Sequence, residues 1–141
     1  MAPGGGANPT TAAGMLQLDT SFLVDLAAEY SAKKIGTARL FLAAHAEKAV
    51  GVSVIALGEF AEGYDNRGDV EKFIVPFTVL AFSRAIAYKG AAVQRALKGR
   101  RLGENDLWVA ATALEYEAEL VGRDAAFKRV PRLKYTELPK K

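Results

Sequence analysis

Four acids stand where a chain can gather carboxylates for chemistry: Asp19, Glu59, Asp106 and Asp124. Asp19 ends the apolar run Leu16-Gln17-Leu18, and Asp124 comes just past Glu119-Leu120-Val121-Gly122. Glu59 and Asp106 fall in the first turns of expected helices, one after a β-branched run and one after a basic loop. An acid at the carboxyl end of an inner strand of an α/β sheet stands where such folds place their sites. In a parallel sheet all strand ends and following helix starts lie along one edge, so the spacing allows the four to meet. Two carboxylates about 4 Å apart repel by roughly 4 kcal/mol at an effective dielectric near 20. Four need shared protons, a nearby base or a divalent cation. A hard cation on oxygen ligands would also lower the pKa of a bound water and neutralise charge on a phosphate under attack. Taken singly, each acid has an ordinary alternative. Asp19 can be a helix cap, Asp106 and Asp124 can be first-turn acids favoured by the helix dipole, and Glu59 can lie on a solvated face.

The elements that must position these acids follow from length and pattern. A chain of 141 residues, half of them hydrophobic, fits one domain with one core. Cysteine is absent and histidine occurs once, which rules out disulfides, thiolate sites and multi-histidine zinc sites. Any metal must be held mainly by oxygen, which favours Mg²⁺ or Mn²⁺. A cysteine-free chain suits a reducing compartment, so the cytoplasm is expected. The net charge of +3 is compatible with a polyanionic partner without being diagnostic of one. No apolar run approaches membrane-spanning length. Residues 1–14 are rich in Gly, Pro and Ala and are expected to form a flexible tail, leaving 15–141 as the domain.

Residues 16–18 are expected to form the first strand, with a helix to about residue 30 and a loop opening at Ser31. A second helix is expected over 34–48, with His45 beside its apolar stripe as a packed side chain. A strand over 50–54 and a helix over 55–64 follow, then a helix over 69–77 and a strand over 78–82. Ser83 is expected to cap a helix to about residue 97, in which Gly90 is a small cost. A basic loop, Lys98-Gly99-Arg100-Arg101-Leu102, precedes a helix over 105–118. Strands over 119–122 and 133–138 close the chain. The alternation of strand and helix predicts an α/β domain with a parallel five-stranded sheet flanked by helices on both faces.

The segments that carry the acids resemble the PIN domain family. The motifs are Leu18-Asp19-Thr20-Ser21-Phe22-Leu23, Val52-Ser53-Val54-Ile55-Ala56-Leu57-Gly58-Glu59-Phe60 with Gly63, Gly103-Glu104-Asn105-Asp106-Leu107-Trp108-Val109-Ala110-Ala111-Thr112-Ala113, and Leu120-Val121-Gly122-Arg123-Asp124 followed by Phe127 and Val130-Pro131-Arg132-Leu133. Within the family the likeness is to VapC-like ribonuclease toxins of prokaryotic toxin–antitoxin pairs. It implies a Rossmann-like fold and a carboxylate site for Mg²⁺ or Mn²⁺, with metal-assisted hydrolysis of RNA phosphodiesters. By it, Asp19, Glu59 and Asp106 match the three most characteristic acids and Asp124 the fourth. Thr20 and Ser21 match the hydroxyl pair beside the first acid, and Asn105 is placed to orient ligands. Family members often carry Thr at the position of Ala56 and Thr or Ser at that of Gly122, so two hydroxyls that would tune the metal site are missing.

The resemblance also implies an RNA substrate, a homodimer and a cognate antitoxin whose basic side chain blocks the acidic site. The same residues are compatible with two alternatives: an RNA-processing nuclease without antitoxin, and a weakly active scaffold that binds RNA or protein. An acidic centre needs positive charge around it to hold RNA. Arg100 and Arg101, with Lys98, precede the Asp106 helix, and Arg123, Lys128 and Arg129 flank Asp124. These are the candidate phosphate contacts, with solvated loop charge as the plain alternative. Trp108 and Tyr64 are expected in packing rather than stacked on bases.

Overall fold

The computed structural model describes residues 14–139. The tail expected over 1–14 therefore lies, but for Gly14, outside the described residues. The central strand is β1 (Met15–Leu18), in which Leu16, Gln17 and Leu18 are all fully buried. A strand buried on both faces belongs in the middle of a parallel sheet. Around it are β2 (Ala49–Ser53), β3 (Thr78–Leu80), β4 (Glu119–Gly122) and β5 (Tyr135–Glu137). All pairings are parallel, in the order β3-β2-β1-β4-β5.

Six helices connect the strands among the described residues: α1 (Thr20–Ala32), α2 (Thr37–Ala44), α3 (Val54–Ala61), α4 (Arg67–Ile74), α5 (Arg84–Ala96) and α6 (Glu104–Glu115). The chain steps outward from β1 to β3, then crosses back to β4 on the far side of β1. Right-handed crossovers in opposite directions put α1–α4 on one face and α5–α6 on the other. The direction reverses between β1 and β4, so the crevice of the fold opens at their carboxyl ends. The core runs through both layers: Leu16, Leu18, Phe22, Leu23 and Leu26 from the first unit, and Leu107, Val109, Ala110, Leu120 and Val121 from the fourth. Burying a side chain such as Phe22 contributes about 2–3 kcal/mol.

Several elements depart from the pattern-based expectation, each for a visible reason. Helix α1 continues past Ser31 to Ala32 and ends on Lys33 in a left-handed conformation (φ 54°). The helix expected over 34–48 is only Thr37–Ala44. The buried Glu29 carboxylate accepts from the amides of Gly36, Ala38 and Arg39 at 3.0, 2.9 and 2.9 Å. It thus caps a helix whose own cap residue, Gly36, has no side chain. At the other end the His45 ring stacks on Phe41 at 4.2 Å. Helix α6 stops at Glu115 rather than 118, because Glu117 turns left-handed (φ 53°). A 3-10 turn over Ala125–Arg129, unanticipated from the sequence, follows β4, and β5 is shorter than expected. Gly90 has a packing role: a Cβ there would lie 2.3 Å from the Trp108 ring, so the glycine lets α5 and α6 close on each other. Trp108 also meets Phe82 edge-on at 5.4 Å and is a packing residue. No described helix is long and apolar enough to cross a membrane.

Candidate active site

Asp19 sits at the end of β1, on the crevice, and is 6 % exposed. Its amide donates to the Val121 carbonyl at 2.9 Å, which ties the end of β1 to β4. Its backbone occupies the cap position of α1, but its side chain makes no capping bond. The carboxylate instead accepts from the Ser21 hydroxyl at 3.1 Å, and that hydroxyl accepts from the Arg123 amide at 3.1 Å. Ser21 therefore couples Asp19 to the loop that carries Asp124.

Glu59 is half-buried on α3, which Ser53 caps by accepting from the Ala56 amide. One Glu59 oxygen accepts from the Thr20 hydroxyl at 2.6 Å and the other from the Asn105 side-chain amide at 2.9 Å. Thr20 thus serves Glu59 rather than capping α1, and Asn105 links α3 to the start of α6. Asp106 lies in the first turn of α6. The loop before it is pinned by buried Gln94, which donates to the Leu102 carbonyl and accepts from the Leu102 amide at 2.9 and 3.1 Å. Asp124 is exposed and accepts from the Ala126 amide at 2.9 Å, capping the 3-10 turn.

The electrostatics link these residues. Burial pushes the Asp19 carboxyl above its ordinary range, with Glu59 adding to the effect and the Thr20 and Ser21 groups opposing it. Burial, then the charges of Asp19, Asp124 and Glu59, push Asp106 up to about 6. Asp106 thus feels acids from three other elements, yet among the described residues none of the four is in an ion pair. No three acids stand close enough, as they are, to ligate one ion among the described residues. A bound cation would neutralise carboxylates that the chain leaves without a basic partner. A donor set of oxygens only, half-buried and without a protein counterion, suits a hard divalent cation.

Gly122 belongs to this geometry. A Cβ there would lie 2.8 Å from the Asp19 Cβ and 3.2 Å from the Ser21 hydroxyl. The missing hydroxyl at this position is a consequence of how closely β4 approaches Asp19. The basic residues divide. Arg123 reaches Asp25 on α1 at 2.8 Å and Lys128 pairs with Glu137 at 2.7 Å. Arg100 and Arg101 are exposed, and Arg129 donates to the Arg100 carbonyl at 3.0 Å, joining the basic loop to the turn after Asp124.

The PIN domain family matches residues 17–133. Among solved structures, VapBC2 from Rickettsia felis bound to a promoter DNA fragment superposes with a TM-score of 0.73 at 22 % identity, over 87 % of this chain and 98 % of that one. VapBC-1 from nontypeable Haemophilus influenzae gives 0.66 at 24 % identity, over 87 % and 97 %. FitAcB from Neisseria gonorrhoeae gives 0.66 at 18 % identity, over 87 % and 97 %. These likenesses establish the fold. No curated protein matches the chain in sequence.

Proposed function

The chain belongs to the PIN domain family, and from that premise we propose that it is a Mg²⁺- or Mn²⁺-dependent endoribonuclease, the toxin of a toxin–antitoxin pair, working in the cytoplasm. The observation that supports the reading is that Asp106 feels the charges of Asp19, Asp124 and Glu59, while among the described residues none of the four is in an ion pair. Asp19 and Asp106 would hold the ion, with Glu59 and Asp124 completing its surroundings. A divalent ion so held supplies a water of lowered pKa and neutralises charge on a phosphodiester oxygen. Ser21 orients Asp19, while Thr20 and Asn105 fix both oxygens of Glu59. Arg100 and Arg101, free of ion pairs among the described residues, contact the RNA backbone. Arg123 serves Asp25 first, and Lys128 must release Glu137 to reach RNA.

Likeness to structures of VapBC complexes favours a toxin over a processing nuclease or scaffold. The partner is a cognate antitoxin that places a basic side chain among the acids, and the active form is a homodimer, checked by light scattering. Cleavage of total RNA with Mn²⁺, with and without EDTA, tests the activity. Cleavage that survives EDTA or Asp19→Asn would sink it. Failure of the adjacent gene's product to inhibit cleavage would leave a nuclease that is not a toxin.

A further inference from the structure

Three buried polar side-chain atoms lack a protein partner among the described residues: Gln17 Oε1, Arg123 Nε and the Tyr135 hydroxyl. The first two belong to side chains anchored by another atom. Gln17 donates to the Val109 carbonyl at 3.0 Å, and Arg123 donates to Asp25. Tyr135 has one polar side-chain atom, and that atom is the unpaired one. Leaving a buried hydroxyl unpaired costs about 1–3 kcal/mol, so its setting calls for a reason.

The setting is the underside of the turn that follows β4. Tyr135 opens β5 and pairs in register with Leu120 of β4, the strand that leads to Asp124. Its ring tilts against Phe127 at 5.2 Å, inside the 3-10 turn that Asp124 caps. Burial, then the charges of Asp19, Glu137 and Asp124, push its phenol upward, and the Asp124 backbone amide, turned toward the phenol oxygen, opposes them. The phenol proton is left without an acceptor among the described residues. Glu137 is neutralised by Lys128, whereas Asp19 and Asp124 have no cation among the described residues. The donor therefore lies in the field of two acids that no cation among the described residues neutralises.

We infer that Tyr135 is a positioning residue of the ion site: its hydroxyl would donate a hydrogen bond to an oxygen that the site acids bring toward a bound divalent cation. The inference rests on the nuclease reading above. Such an outer contact fixes the direction of a shell oxygen, and its loss typically costs 10–100-fold in metal affinity. A role in packing alone would need only the ring.

Tyr135→Phe separates the two, because it keeps the ring on Phe127 and removes the hydroxyl. MnCl₂ is titrated calorimetrically into wild type and Tyr135→Phe, and both are melted in EDTA. The expected result is Mn²⁺ binding weakened about 10–100-fold, with a metal-free Tm equal to or above wild type because an unpaired buried hydroxyl has gone. Equal Mn²⁺ affinity in the two proteins would overturn the inference and leave the nuclease reading standing. Weaker binding accompanied by a lower metal-free Tm would assign Tyr135 to the fold and also overturn it. A wild type that binds no Mn²⁺ would overturn both.

Discussion

Helix α1 begins on one buried acid and carries two more, and they are treated in opposite ways. Glu29, 3 % exposed, is surrounded by three backbone amides, and Asp25, 7 % exposed, meets the Arg123 guanidinium at 2.8 Å. Asp19, 6 % exposed, has the Ser21 hydroxyl and the Thr20 and Ser21 backbone, which do not offset its burial and the charge of Glu59. Burial is nearly equal, so burial alone does not mark a site. The difference is who neutralises the charge. Where the protein supplies the donors, a buried acid holds elements together. Where it supplies more acids, the site is stable only with something from outside.

Substitution should reverse sign between the two. The largest effect is expected at Asp19→Asn: RNA cleavage falls below detection, while the metal-free Tm stays level or rises because a poorly compensated buried charge is gone. A fall in Tm like that of a core variant would place Asp19 with the structural acids. Glu29→Ala should do the opposite. It orphans three amides at the start of α2 and should cost about 3 kcal/mol or more in urea unfolding. A loss no larger than that of a surface substitution would break the comparison from its other side.

A pH profile sharpens the contrast. The Asp106 carboxyl sits at about 6 in the folded protein against 3.8 ordinarily, so between those values the folded state binds the extra proton. Its contribution is most favourable below pH ~4 and is lost as pH rises through about 6. Asp19 acts in the same direction. A shift of this size would correspond to about 3 kcal/mol undiluted, and solvent around a half-buried carboxyl reduces it to about 1 kcal/mol. Metal-free protein should therefore lose stability across that window, and saturating Mn²⁺ should flatten or invert the slope. A metal-free profile that rises from pH 4 to 6 would show that the acids are already neutralised.

How much of this was legible in the sequence follows from the range of the interactions. The strand–helix alternation and the order of the acids are local patterns, and they led to the sheet and to four candidate acids at its carboxyl edge. The boundaries of α2 were not legible, because its cap is a carboxylate seven residues before Gly36, on another helix. Gly122 signalled a lost hydroxyl in one dimension and a close approach to Asp19 in three. Arg123 and Lys128 looked equivalent to Arg100 and Arg101 as loop charge. Their partners, Asp25 and Glu137, are distant or inconspicuous in the chain. Tyr135 carries no spacing signal at all. Its interest lies in a missing bond, which only packing can reveal.

The smallest effect tests that division of the basic residues. Arg100 and Arg101 are exposed and outside every ion pair among the described residues, whereas Arg123 is held by Asp25. A phosphate contact releases counterions on binding, so removing one should flatten the dependence of log K on log salt by about 0.7 for single-stranded RNA. Arg100→Gln and Arg101→Gln should each flatten the slope by about that amount and leave the Tm unchanged. Arg123→Gln should leave the slope nearly unchanged and lower the Tm, because it strips Asp25 of its partner. Fluorescence anisotropy with a labelled RNA in EDTA, at a series of salt concentrations, reads both quantities without cleavage. If Arg123→Gln flattens the slope as much as Arg100→Gln, the guanidinium leaves Asp25 for the RNA. The neutralised acids of α1 would then be part of the substrate's path rather than of the scaffold.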